Sequence, residues 1–246
     1  MTIGSRHRDR DAIAIAGDYQ ARALESPWAA RRFWHAAKIR QLDRLLPPRP
    51  SARVADVGCG SGVIARHLAA RAGSVVGLDA NPDAVGFAQA AYRLPNLRFV
   101  LGPLEQVECE GPFDQLVCLE VIEHLYPEQA DATLALLSRA AAPGADLFVT
   151  TPNQRSAWPL IEWLLDQSGL VPTLDQAQHL TFFHRRSLSM ALERAGWQIT
   201  EMGTFNGMAP FAAPLGETVA RAIERAEFRA RHWAPWNLLY CLARRR

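Results

Sequence analysis

The chain has 246 residues, of which 49% are hydrophobic and 21% charged, with a formal net charge of +2. That length buries one substantial core, the composition is ordinary for a globular protein, and the near-neutral charge gives no global attraction to nucleic acid. The four cysteines, Cys59, Cys109, Cys118 and Cys241, show neither C-x-x-C spacing nor a paired framework, and apolar stretches break well before the roughly 20 residues of a membrane span.

Residues 1–28 are expected to form an N-terminal tail. Met1 to Asp11 is polar, without the apolar core of a signal peptide, so a cytoplasmic location is expected. Lys38 is the sole lysine among 27 basic residues. It falls in a predicted helix over residues 29–46, in which Phe33, Ala37 and Arg40 share one face and Trp34, Lys38 and Leu42 lie beside them.

The stretch from Val54 to Gly62, VADVGCGSG, is an apolar strand running into a glycine turn and then a helix from Val63 to Arg71. Glycine lets the backbone turn tightly and lets a ligand lie directly against it, with the free N–H groups of the helix start facing the same turn. A second apolar strand, Val75 to Asp79, ends in an acid able to take the two hydroxyls of a ribose. The stretch therefore reads as the floor of a nucleoside site. A dinucleotide fingerprint, G-x-G-x-x-G, would need its third glycine at position 63 or 65, which are Val63 and Ala65. This spacing speaks against a nicotinamide-linked oxidoreductase.

Further on, Asn81-Pro82-Asp83 caps a predicted helix over 84–92, followed by strands over 97–100 and 113–119. A helix is expected over 131–142, stopped by Pro143-Gly144, then a fifth strand over 145–150. Regular alternation stops over 151–186, where the apolar run Trp158 to Leu165 suits a substrate lid, a peripheral membrane contact or a helix packed on the core. A helix over 187–195, a strand over 197–205, a loop over 207–214, an arginine-rich helix over 217–232 and a seventh strand over 236–243 complete the reading.

The Asp56-x-Gly58-x-Gly60-x-Gly62 pattern with Asp79 resembles the class I S-adenosylmethionine-dependent methyltransferases, and the chain from Ala29 onward is similar to the ubiquinone-pathway O-methyltransferases. That resemblance implies an α/β fold: a Rossmann-like, seven-stranded, mostly parallel sheet with helices on both faces, spanning 29–246, with 151–186 inserted between strands five and six as a cover. It implies S-adenosyl-L-methionine as cofactor, held by the turn residues Asp56, Gly58, Cys59 and Gly60 and by Asp79 and Ala80. Lys38, 20 residues before Gly58, would meet the methionine carboxylate as a point charge. Leu119 and Glu120 would lie beside the methionine portion. Pro103 stands where the family usually has an adenine-holding acid, which leaves Leu104 and Glu105 to pack on and contact that ring.

Methyl transfer to an alcohol or phenol also requires loss of a proton, through a base or through a metal that lowers the hydroxyl pKa. Glu123, His124 and His179 are the catalytic candidates, His124 or His179 acting as base. Glu120, Glu123, His124 and His179 together resemble the metal-binding set of small-RNA 2′-O-methyltransferases and of part of the ubiquinone-pathway group, and two carboxylates with two imidazoles would suit a divalent ion. His184 reads as part of a surface turn, and His7, His35, His67 and His232 are assigned no chemistry. The leading expectation is O-methylation of a small, largely apolar acceptor such as a phenol, a quinone precursor or a secondary metabolite. The alternatives are a small-RNA 2′-O-methyltransferase, disfavoured by the absence of a basic groove, and a non-catalytic cofactor-binding subunit holding a partner through the 217–232 helix.

Overall fold

The computed structural model describes residues 16–156 and 179–246. Its centre is a seven-stranded sheet of β1 (Arg53–Val57), β2 (Ser74–Asp79), β3 (Leu97–Leu101), β4 (Phe113–Leu119), β5 (Ala141–Pro152), β6 (Trp197–Phe205) and β7 (Leu238–Arg245), in the order β3-β2-β1-β4-β5-β7-β6. The first five strands pair in parallel, and β7 runs antiparallel to both β5 and β6. The central strands β1 and β4 are buried along almost their whole length, which is why apolar residues occupy neighbouring positions on both faces, as in Val54-Ala55 and Leu116 to Leu119, rather than strictly alternating with polar ones. Strand order reverses between β1 and β4, so a crevice opens at their C-terminal ends, where open sheets of this kind bind ligands.

Helices cover both faces. On one side α2 (Ala29–Leu45), α3 (Val63–Ala69) and α4 (Pro82–Ala91) place Ala37, Leu42, Leu68 and Val85 against Val54, Phe148 and Tyr240. On the other, α6 (Pro127–Ala140) and α7 (Arg185–Arg194), with the short α5 (Gln106–Glu110) between β3 and β4, pack Leu134, Leu137, Leu188 and Leu192 against Val57, Leu116, Leu147 and Trp197. Trp197 is fully buried and donates its indole N–H to the Leu134 carbonyl at 3.0 Å, so its bulk is buried without an orphaned donor.

Several regions differ from the sequence expectation, among them the short α5, where no helix was expected, and α6, which starts at Pro127 rather than at 131. Within the expected tail, Tyr19–Leu24 forms a helix, α1, held by tertiary packing on the glycine turn and on α2 rather than by its own length. The expected loop over 207–214 contains a helical turn, α8 (Ala209–Ala212), followed by a 3-10 turn (Ala213–Leu215). Its backbone N–H groups are satisfied by Glu227 of α9 (Glu217–Arg229), whose carboxylate accepts from Gly207, Met208 and Ala209. Strand β5 begins at Ala141, before Pro143-Gly144, because the chain passes from α6 directly into pairing with β4.

The Trp158–Leu165 run lies outside the described residues. The two ends of the segment that contains it meet at the sheet: Asn153 bridges Phe183, and the Gln154 N–H donates to the Phe183 carbonyl at 2.9 Å. Among the described residues no helix is long and apolar enough to cross a membrane. Several charges of the arginine-rich α9 region are used within the chain. Glu224 pairs with Arg40 at 2.8 Å and with Arg221 at 3.6 Å, and Arg231 pairs with Glu201 at 2.8 Å.

Candidate active site

The glycine turn lies at the C-terminal end of β1. Gly58 (φ 73°) and Gly60 (φ 51°) occupy the left-handed region, and a Cβ at Gly58 would collide with Val121. The N–H groups of Gly58 and Cys59 donate to the Leu78 carbonyl at 2.8 and 3.0 Å, tying the turn to β2. At the end of β2, the Asp79 carboxylate accepts from Gly60 N–H through Oδ2 and from Asn81 N–H through Oδ1, both at 2.8 Å. Each carboxylate oxygen retains acceptor capacity beyond these bonds. Asp79 thus fixes the turn and still offers lone pairs to ligand hydroxyls.

Asp56 is buried, and its Oδ2 has no partner among the described residues. Burial pushes its carboxyl up to about 7, the Ala65 N–H opposes that, and the Asp79 charge adds to it. Cys59 is buried in the same turn, with its thiol held well above the ordinary range by burial and by Asp56 and Asp79. It packs rather than reacts. Ala80 is exposed beside Asp79, Leu104 is half-buried against the core, Glu105 is exposed, and Leu119 is buried at the end of β4.

Lys38 projects from α2 and is 6% exposed; it forms an ion pair with Glu120. Glu120 follows β4 with φ 55°, an uncommon conformation for a side-chain-bearing residue and one that clusters at ligand sites. Burial alone would raise the Glu120 pKa, but the charge of Lys38 and its hydrogen bond outweigh this and hold it below the usual range. Of the four expected metal ligands, Glu120 is the one already paired with the buried lysine, while its charge still acts on Glu123 and His179.

The other three members of that set do come together. Glu123, His124 and His179 each offer a ligand atom, all within 4.8 Å of one another, and the two imidazole rings lie 5.2 Å apart. Glu123 and His124 sit in a 3-10 turn (Ile122–His124) just past β4. His179 is brought across by backbone bonds: Leu180 and Thr181 N–H donate to the Glu123 carbonyl at 2.8 and 3.0 Å, and Thr181 Oγ1 donates to the Leu125 carbonyl at 2.6 Å. The Glu123 carboxylate is buried and accepts from Thr151 Oγ1 at 3.0 Å; burial, then the Glu120 charge, pushes it up to about 8. His179 is held below its ordinary value by burial and by the facing His124. Such a ring stays neutral at physiological pH, ready to accept a proton or to ligate.

A family model described as a methyltransferase domain matches residues 28–202. The chain belongs to the class I S-adenosylmethionine-dependent methyltransferases. It is 33% identical over 141 residues to a ubiquinone biosynthesis O-methyltransferase of Hahella chejuensis, covering 51% of this chain and 58% of that protein. It is 38% identical over 119 residues to a trans-aconitate 2-methyltransferase of Deinococcus radiodurans, covering 48% and 44%. The chain thus spans about half the length of these curated relatives. Among solved structures, an S-adenosylmethionine-dependent methyltransferase from Archaeoglobus fulgidus superimposes with a TM-score of 0.61 at 20% identity, covering 85% of this chain and 94% of that one. A magnesium protoporphyrin IX methyltransferase from Synechocystis with bound S-adenosylhomocysteine does so at 0.58 and 20%, covering 88% and 84%. At these identities the likeness is one of fold, and a [4+2]-cyclase shares that fold with a TM-score of 0.61.

The methyltransferase site contains residues that sequence reasoning passed over. His35 lies one helical turn before Lys38 and lines the same narrow cavity, with Tyr19 edge-on to its ring at 5.7 Å. The i, i+3 spacing to Lys38 was the available signal. Thr151, at the start of the expected insertion, carries no sequence signal for its hydrogen bond to Glu123. A larger concavity of about 530 Å³, lined by Tyr92, Arg98 and Phe99, lies by the α4–β3 connection.

Proposed function

We propose that the protein transfers the methyl group of S-adenosylmethionine to an oxygen of a small, largely apolar acceptor, as the names of its ubiquinone-pathway relatives suggest. The observation that carries this reading is the grouping of Glu123, His124 and His179 beside the Lys38–Glu120 pair, which sets a proton-accepting group next to a cofactor pocket. The residues present fit the cofactor: a glycine turn that a Cβ would obstruct, a buried cation for a carboxylate, and an acid at the end of β2. Bound there, S-adenosylmethionine would supply an electrophilic methyl on a sulfonium.

The work of the chain is alignment and proton removal. Lys38 and Asp79 fix the two ends of the cofactor, so that an acceptor at the β4 mouth meets the methyl in line. His124 or His179 takes the acceptor proton, helped by the neutral state that burial imposes on His179. The described residues that flank the 157–178 stretch, Asn153 and Phe183, bridge one another at this mouth.

A second reading is favoured by the same cluster. Glu123, His124 and His179 would hold a divalent ion, which would lower the pKa of the acceptor hydroxyl in place of a base. Both readings are tested by methyl transfer from labelled S-adenosylmethionine to a panel of phenols and catechols, with a short RNA as comparison and with chelator in parallel. Transfer to a phenol supports the small-molecule reading, and transfer confined to RNA overturns it. Loss of transfer with chelator, restored by one divalent ion, selects the metal.

A further inference from the structure

Helix α1 lies directly on the glycine turn, although the sequence placed it in a tail. Ala21 N–H donates to Ser61 Oγ at 3.1 Å, and Gly17 is so close to Asp83 that a Cβ would lie 2.5 Å from its backbone. The Gln20 carboxamide rests over Gly60, where a Cβ would sit 3.0 Å from it. Its Oε1 is fully buried and accepts no hydrogen bond among the described residues. Most buried polar side-chain atoms have a hydrogen-bond partner, so an acceptor left without one at the mouth of a cavity is a place for a donor to bind.

Gln20 lines a narrow cavity of about 20 Å³ together with His35, Lys38 and Leu119. Its lining holds a cation in Lys38, which carries Glu120 as its paired anion, and an orphaned acceptor in Gln20. This set matches an α-amino acid zwitterion: its carboxylate replaces Glu120 at Lys38, and its ammonium pairs with Glu120 and gives Gln20 Oε1 its missing donor. The net charge of the pocket and ligand end is unchanged by the exchange, so neither Lys38 nor Glu120 is left unpaired. His35 stays uncharged, held down to about 3 by burial and then by Lys38, and so does not repel an ammonium.

We infer that α1 is a wall of the cofactor site and that Gln20 binds the α-ammonium at the amino-acid end of the cofactor. The inference rests on the S-adenosylmethionine reading above.

The test is calorimetric titration of the wild type, Gln20→Leu and Gln20→Met with S-adenosylhomocysteine and with 5′-methylthioadenosine, which lacks the amino-acid end. A hydrogen bond to a charged group predicts a loss of at least about tenfold in S-adenosylhomocysteine affinity for both variants. Affinity for methylthioadenosine should stay within about twofold on the same grounds, since that ligand carries no ammonium. The unliganded Tm should hold or rise, because the substitution removes an unpaired buried carbonyl. Unchanged S-adenosylhomocysteine affinity in either folded variant overturns the assignment, and so does an equal loss for both ligands. Failure of the wild type itself to bind S-adenosylhomocysteine removes the cofactor reading and this inference with it. Binding by the wild type with unaffected variants removes the inference alone.

Discussion

The two ends of the site are built differently. At the ribose end of the cofactor site, the turn and its clamp come from one stretch between Val57 and Asn81, joined by backbone bonds across adjacent parallel strands. At the acceptor end, Glu123 and His179 are 56 residues apart and meet only because Leu180 and Thr181 bond back onto the turn after β4. A site made of local contacts binds a shared cofactor in many proteins. One made of distant contacts can change its acceptor without disturbing that binding, so substitutions at the two ends should separate affinity from turnover.

The largest effect is expected at the acceptor end. His179→Ala should lower kcat for methyl transfer by about 10²- to 10⁴-fold, the usual contribution of a positioned base. Its S-adenosylhomocysteine affinity, measured by calorimetry, should match the wild type. Next in size is Asp79→Ala, which removes the acceptor of two backbone N–H bonds. Its affinity for S-adenosylhomocysteine should fall by about 100-fold, since bonds to a charged acceptor are worth roughly 1.5–3 kcal/mol each.

This contrast also explains what the sequence could convey. The glycine turn, Asp79 and the strands over 113–119 and 197–205 were legible because short-range pattern and backbone geometry determine them. The partner of Glu120 was not: its spacing to Glu123 suggested one cluster, whereas the positive φ at Glu120 and the buried Lys38 divide the two carboxylates between different neighbours. Helix α1 was illegible because six residues carry too little helical signal alone, and its stability comes from Ser61 and the turn beneath. The gathering of His179 with His124 could be guessed only from resemblance, since nothing local in residues 179–181 announces the carbonyl of Glu123 as their partner.

A smaller effect concerns pH. The Asp56 carboxyl is raised to about 7 in the folded chain from an ordinary 3.8, so between those values the folded state holds a proton that the unfolded state has lost. Its contribution to stability is fully present below pH 3.8 and declines as pH rises through about 7. Asp56→Asn should therefore flatten the fall in Tm between pH 5 and 7 relative to the wild type, roughly across the window set by these two values. Thermal unfolding against pH checks it, and an equal slope in both proteins would count against the buried, protonated state.

The smallest effect is expected on the exposed face of α9, where Arg225 takes no part in the site. Arg225→Glu should leave affinity and turnover within about twofold of the wild type, as surface substitutions away from special features do. A collapse of turnover that an added partner restores would favour a partner-dependent subunit.

The most direct measurement is parallel calorimetric titration of the wild type, Asp79→Ala and His179→Ala with S-adenosylhomocysteine. The division of the site predicts tight binding by the wild type and by His179→Ala, and strongly weakened binding by Asp79→Ala alone. Absence of binding by the folded wild type, or equal weakening in both variants, would contradict it.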